Sequence, residues 1–357
     1  MGKAVLVLED GTFFSGENFG SGGEAFGEVV FNTSMTGYQE ITTDPSYKGQ
    51  MVCMTYPLIG NYGMNDIDTE SYKTHVEGFI VKELCEFHSN FRASISPEQY
   101  FSDNHIIGIK GIDTRALTQH IRKKGSMMGV ISTRCGNIDL LLKKIEDHHI
   151  GKRNLVGEVS LATPMHIKGN GKRVAVLDLG VKYSILRSLE KRDCEIFVFP
   201  YDTPFETIME SHPAGIILSN GPGDPRALES LLPKTRKIIE SGLPVLGICL
   251  GHQLLALAMG MEIFKLKFGH HGGNHAVKDI HAGKCYITCQ NHNYAVSFEH
   301  VSPDVEITHV NINDHTVEGF FHRKNPVMSV QYHPEASPGS LDSGYIFDDF
   351  ISLMQKG

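Results

Sequence analysis

In this 357-residue chain, LGICLGHQ (residues 246–253) places one cysteine between two glycines. The G-x-C-x-G spacing is that of a nucleophile elbow, a strand that turns abruptly into a helix and tolerates no bulk on either side of the reactive residue. Such a turn strains the central residue and pushes its side chain outward. Cys249 would stand at the first turn of HQLLALAMG, where unpaired N–H groups and the helix dipole favour a thiolate. A core cysteine has the same local composition, since free cysteine packs as a small hydrophobe. The two readings separate only if the chain also supplies a base.

SVQYHPEAS (329–337) supplies a base and a group to orient it. His333 precedes Pro334, which biases it toward extended backbone, and residues two apart in an extended segment share a face. Glu335 can therefore hold one ring nitrogen of His333 while the other addresses Cys249. Taken alone, H-P-E reads as a turn. A third element, SNGPGDP (219–225), ends the apolar run GIILS in a stiff loop. Its N–H groups, with the amide of Leu250, could stabilise an oxyanion. A phosphate cradle does not fit, because G-x-G-x-x-G is broken at Arg226 and no G-x-x-x-x-G-K-[ST] occurs. The histidines of GHHGGNH (269–275) and CYITCQNH (285–292) lack an accompanying C-x-x-C or H-E-x-x-H, so they are read as structural and no metal is expected.

These groups need a scaffold. From residue 173 the chain alternates apolar strands with amphipathic helices: RVAVLDLG, VKYSILRSLEKR, EIFVFP, TPFETIMESH, AGIILSNGPGDP, ALESLLPKTRKIIESG and LPVLGICLGHQ. That rhythm predicts a doubly wound, mostly parallel α/β sheet whose functional groups gather at strand C-terminal ends. The later segments KCYITC, EITHVN, VEGFFH and VMSVQYH read as antiparallel or edge strands. Residues 1–150 instead show short apolar stretches broken by turns, with helices expected from Asp113 (DTRALTQHIRKKG) and from Asn137 or Asp139 (IDLLLKKIEDHH). The expected organisation is a strand-rich domain over 1–150, a connector over 151–172 and the α/β domain over 173–357.

The totals exclude several classes. With 41% hydrophobic and 21% charged residues the chain has ordinary globular usage. A formal charge of -8 argues against a backbone-tracking nucleic-acid binder. Seven cysteines without a C-x-x-C pair do not form a disulfide framework and suggest a reducing, cytoplasmic compartment. MGKAVLVLEDGTFF is unlike a signal sequence, and Leu243 to Phe264 is too rich in glycine and polar residues for a membrane span.

GICLGHQ, SNGPGDP and HPE together resemble the class I (triad) glutamine amidotransferase domain. NTSMTGYQEITTDPSYKGQMV (32–52), TYPLIGNYGMN (55–65), GIDTRALTQHIR, KFGHHGGNH and QNHNYAVS resemble the small subunit of carbamoyl-phosphate synthetase. The resemblance covers almost the whole chain. It implies a swivelling β/β/α first domain and a glutaminase second domain, with Cys249 as nucleophile, His333 as acid and base, and Glu335 as its orienter. It further implies glutamine contacts from Gly221, Gly223, Leu250, Gln253, Asn291, Asn293 and Tyr294, with Ser46 reaching across from the first domain. Asn293 stands where glycine is common in that family, and Ser184 where asparagine is. The implied partner is a large subunit that binds ATP and Mg, receives ammonia and makes carbamoyl phosphate for arginine and pyrimidine synthesis; no cofactor is expected in this chain. A heterodimer that could build higher oligomers follows from the same resemblance. The rival readings are a glutamine amidotransferase of another pathway and a free-standing γ-glutamyl cysteine hydrolase.

Overall fold

The computed structural model describes residues 2–134, 137–148 and 153–356. Contacts divide the chain into two units, Met1–Arg153 with Lys267–His271, and Asn154–Leu266 with Gly272–Gly357. Cys135 and residues 149–152 lie outside the described residues.

The first unit is built on a closed barrel, in the order Lys3–Leu8, Phe13–Gly20, Ile107–Lys110, Gly78–Ile80, Gln50–Met54, Glu24–Asn32 and Met127–Ser132. Alternation along the first strand sorts its side chains. Ala4, Leu6 and Leu8 join one buried cluster with Leu117 and Ile121, while Val5 and Val7 join another with Leu141 and Ile145. Each such valine, leucine or isoleucine side chain contributes roughly 1.5–3 kcal/mol on burial. The helices that carry these partners start where side-chain caps occur. Asp113 accepts from Ala116 N at 2.9 Å ahead of Thr114–Lys124, and Asn137 accepts from Asp139 N at 2.9 Å ahead of Ile138–Asp147.

The second unit holds a ten-stranded sheet. Its parallel centre runs Glu195–Pro200, Arg173–Asp178, Gly215–Leu218, Val245–Ile248 and Val327–Val330. Both faces are covered, as the continuous apolar runs require. Val174 and Val176 face Ile185, Leu189, Phe347 and Phe350 of helices Tyr183–Glu190 and Tyr345–Lys356. On the other face, Ala175 and Leu177 join Ile238, Leu254 and Leu255 of helices Leu232–Glu240 and Leu250–Ala258. No helix among the described residues is long and apolar enough to cross a membrane.

Two local expectations change. Val327–Val330, read as antiparallel or edge-like, does pair antiparallel with Val317–His322, but it also pairs in parallel with Val245–Ile248 and so lies inside the sheet. Its central place accounts for its largely buried run. The stretch read as a plain connector carries helix Leu155–Val159, whose Leu155, Val156 and Val159 are buried, and strand Met165–Ile167, which pairs with Glu195–Pro200. Apolar residues at helical spacing explain why it packs with the second unit.

Candidate active site

The parallel pairing of Val245–Ile248 with Val327–Val330 ends with Ile248 opposite Val330, and Cys249 N donates to Val330 O at 2.9 Å. Two chain segments about eighty residues apart thus leave the sheet side by side. Cys249 is the N-cap of helix Leu250–Ala258 with φ 52° and ψ -101°, a conformation that costs a non-glycine residue of order 1–3 kcal/mol. The elbow glycines are required by close approach. A Cβ on Gly251 would lie 2.1 Å from Leu218 O, and one on Gly247 would lie 2.5 Å from Leu255 Cδ1.

Beyond Val330 the segment carries Gln331, His333 and Glu335 at alternate positions. His333 N donates to Cys289 O at 2.9 Å, which keeps the backbone extended there. Glu335 Oε1 lies 2.7 Å from His333 Nδ1, and among the described residues Nε2 is not spent on another oxygen or nitrogen partner. Burial alone would strip the proton from His333, but the Glu335 carboxylate and the neighbouring Cys249 sulfur outweigh it and hold the ring well above its ordinary pKa. For Glu335, burial pushes upward, and the Lys182 ammonium with His333 brings the carboxyl down to about 2. All three side chains are buried. The arrangement holds a proton on an imidazole beside a sulfur, which is what nucleophilic attack and leaving-group protonation demand.

Lys182 is the member that sequence reasoning missed. Its Nζ lies 3.0 Å from Glu335 Oε1 and donates to Ala336 O at 2.6 Å, while its backbone N donates to Asn220 Oδ1 at 3.2 Å. Asp178 shapes the loop that presents it by accepting from Gly180 N and Val181 N at 2.9 and 2.7 Å. Its place just past a buried parallel strand, where ligand-facing groups collect, is the one hint in the sequence, and it does not tell this lysine from the polar start of a helix. A buried ammonium is costly unless paired, so the ion pair is the reason it can sit there.

Several residues expected to contact substrate converge on Cys249. Its Sγ donates to Asn291 O at 3.6 Å and accepts from Gln331 Nε2 at 3.6 Å. Gln253 Nε2 donates to Tyr294 O at 2.8 Å and to Gln331 Oε1 at 3.0 Å. The SNGPGDP loop reaches the elbow through Gly221, whose added Cβ would lie 2.8 Å from Leu250 Cδ2. Arg226, held by Asp224, lies 5.4 Å from the centre of the Tyr294 ring and so joins that loop to the QNHNY strand. Asn293 is buried on the same strand, Lys284–Val296, and is not among the positive-φ residues, so its position makes no demand for glycine. Gly223 has φ 94° and faces Leu155 instead. Ser46 belongs to the first unit, on the turn Pro45–Tyr47, where Asp44 accepts from its backbone N at 2.9 Å. His252, within the elbow motif, is a tether: its Nδ1 lies 2.8 Å from Ser329 Oγ, and burial, with His309 nearby, lowers its pKa to about 3.

Comparison with known proteins bears on both units. Residues 6–131 match the family described as carbamoyl-phosphate synthase small chain, CPSase domain, and residues 175–353 match glutamine amidotransferase class-I. The chain is 49% identical over 359 residues to the carbamoyl phosphate synthase small chain of Listeria monocytogenes serotype 4b (strain F2365), covering 99% of this chain and 97% of that one. It is 50% identical over 368 residues to the small chain of Aquifex aeolicus (strain VF5), covering 99% of each. The Clostridium perfringens (strain 13 / Type A) small chain is 50% identical over 349 residues, covering 98% of this chain and 99% of that one. With two domain families matched in order and identity near one half along its length, the chain belongs to the carbamoyl phosphate synthase small-chain family.

Proposed function

We propose that this chain is the glutaminase subunit of a glutamine-hydrolysing carbamoyl-phosphate synthetase. The observation that carries the reading is the buried line Cys249, His333, Glu335, in which Glu335 occupies one ring nitrogen and leaves the other for sulfur. Cys249 sulfur attacks the side-chain amide carbon of glutamine. The oxyanion that forms is held by backbone N–H groups at the start of the elbow helix and in the SNGPGDP loop. His333 gives its proton to the departing nitrogen, ammonia leaves, and a thioester remains. Water then loses a proton to His333 and attacks the thioester, which releases glutamate and restores the cysteine. Glu335 stays ionised throughout and keeps the ring aligned.

Gly221, Gly223, Leu250, Gln253, Asn291, Asn293 and Tyr294 hold the glutamine in this reading. Ammonia in neutral water is mostly protonated and a poor nucleophile, so it passes directly to a large subunit that uses ATP and bicarbonate. The two chains form a cytoplasmic heterodimer, and its carbamoyl phosphate feeds arginine and pyrimidine synthesis.

The test is glutamate release from L-glutamine by the full chain, alone and with a carbamoyl-phosphate synthetase large subunit. Slow hydrolysis that accelerates on addition of the large subunit is expected, with an acid-stable glutamyl adduct trapped on Cys249. A Cys249→Ser preparation that still hydrolysed glutamine at the wild-type rate would refute the assignment. Hydrolysis indifferent to the large subunit, with no co-elution of the two chains, would favour a free-standing hydrolase.

A further inference from the structure

We propose that the Gln331 carboxamide is a working group on the nucleophile, a fixed donor that positions Cys249 Sγ and ties it to the residues that hold glutamine. The inference rests on the reading that Cys249 is the attacking group. It begins with strand register. Because Ile248 lies opposite Val330 in a parallel pair, the next residues on the two strands, Cys249 and Gln331, emerge level with each other. Alternation then places Gln331 on the face that also presents His333 and Glu335.

The side chain is fully buried, and its orientation is determined by its neighbours. A carboxamide can be built either way round, with its oxygen or its nitrogen toward sulfur. Gln253 resolves the choice. Its Nε2 donates to Gln331 Oε1 at 3.0 Å, so the Gln331 nitrogen faces Cys249 Sγ, at 3.6 Å, as a donor. Gln253 is itself oriented, because the same Nε2 donates to Tyr294 O at 2.8 Å. The result is a directed line from the Tyr294 carbonyl through two carboxamides to the reactive sulfur. Asn291 O and Gln331 Nε2 thus offer that sulfur one acceptor and one donor. An acceptor suits the thiol and a donor suits the thiolate, so the sulfur is held in place in both states through which it must pass.

A filler side chain would not need a donor there. Glutamine that displaces or tightens Gln253 also moves the group that aims the sulfur, and this couples occupancy of the pocket to attack. Gln331 should therefore act on the chemical step more than on glutamine affinity.

The experiment uses the full chain with Gln331→Met, which keeps the shape and removes the donor, and Gln331→Glu, which keeps the shape and presents an acceptor. Cys249 alkylation by iodoacetamide is followed by mass spectrometry from pH 5 to 9, beside glutamine hydrolysis in the presence of the large subunit. For Gln331→Met, kcat falls about ten- to a hundredfold with KM changed less than about threefold, and alkylation at neutral pH slows by a similar factor with its midpoint moved up in pH. Gln331→Glu is worse at neutral pH and recovers toward pH 5, where a protonated carboxyl regains an O–H donor.

A folded Gln331→Met protein with wild-type kcat and alkylation overturns the proposal. So does a rise in KM at unchanged kcat, which would make Gln331 a pocket residue only. If Gln331→Met does not fold, unchanged alkylation of Gln331→Glu at neutral pH overturns it instead. The two readings fail separately: absence of glutamine hydrolysis by the wild type sinks the glutaminase assignment, while alkylation still decides what Gln331 does to the sulfur.

Discussion

Two histidines, one in each unit, are almost equally removed from water, with His75 2% and His333 1% exposed, yet they are driven in opposite directions. His75 Nε2 lies 2.9 Å from Ser71 Oγ, its backbone N donates to Thr42 O at 2.8 Å, and no carboxylate is among the groups that move its titration. Burial, with Lys73 and Lys48 adding to it, lowers its pKa to about 3. His333 bears the same penalty but has Glu335 2.7 Å away, and its proton is retained. Burial sets the size of the cost, and the charged partner sets the sign. A buried imidazole sheds its proton in one setting and keeps it in the other.

The sharpest way to break this comparison is to remove each ring. His333→Asn should lower glutamine hydrolysis by about 10²–10⁴-fold, the usual worth of a positioned acid and base. His75→Asn should leave kcat within about twofold and register in the unfolding midpoint, at about 1–3 kcal/mol for a disturbed buried hydrogen bond. Equal losses of activity from the two would end the distinction.

A smaller effect sharpens the role of charge. Lys182→Met takes the ammonium from Glu335, so the carboxyl should rise from its value of about 2 and carry the acid limb of the kcat/KM profile upward in pH. Hydrolysis should fall about tenfold to a hundredfold, and the protein should lose about 3–5 kcal/mol, the cost of breaking a buried ion pair. A limb that stayed in place would mean that His333 alone keeps Glu335 ionised.

The smallest effect is in stability against pH. His75 and His252 refuse a proton until about pH 3 when folded, whereas their unfolded forms accept one near 6.5. Their linkage leaves stability unaffected above that pH and reduces it as pH falls from about 6.5 toward 3. Glu335 adds a loss only as pH drops below about 4.5 toward 2, and His333 has the opposite sign, with its contribution fading as pH rises through its elevated value. Thermal scans of the wild type and His75→Asn should therefore draw together as pH falls from 7 to 4, the wild type losing more, at about 2–4 °C per kcal/mol. Parallel curves would show that His75 titrates normally in the folded protein.

Much of the site was legible because its spacing is local. G-x-C-x-G specifies a strained strand-to-helix turn, and a histidine and an acid two apart share a face only if the segment is extended. Asp113 marks one helix start for the same local reason, and the second cap is narrowed to Asn137 or Asp139, of which the structure uses Asn137. What could not be read was which strands lie side by side. VMSV has the composition of an edge or a centre, and its parallel partner lies some eighty residues earlier, beyond any periodicity. That one pairing sets Gln331 beside Cys249, and nothing local in SVQYHPE singles Gln331 out. Lys182 was hidden differently: in VLDLGVKYSILR it reads as the polar start of a helix, and only the three-dimensional approach of Glu335 explains a lysine in a dry interior.

The strand Ile263–Asp279 is continuous, yet its residues Lys267–His271 group with the first unit. Ser126 N donates to Lys267 O at 2.9 Å, Thr33 N donates to His271 O at 3.1 Å, and the Phe31 and Phe268 rings lie 5.7 Å apart. Scissors applied at the obvious place, between 153 and 154, would therefore leave the amino-terminal fragment short of five residues that it uses and the carboxy-terminal fragment with five that it does not. A gene split there should yield two fragments that are soluble only when made together, because the chain visits its first half twice.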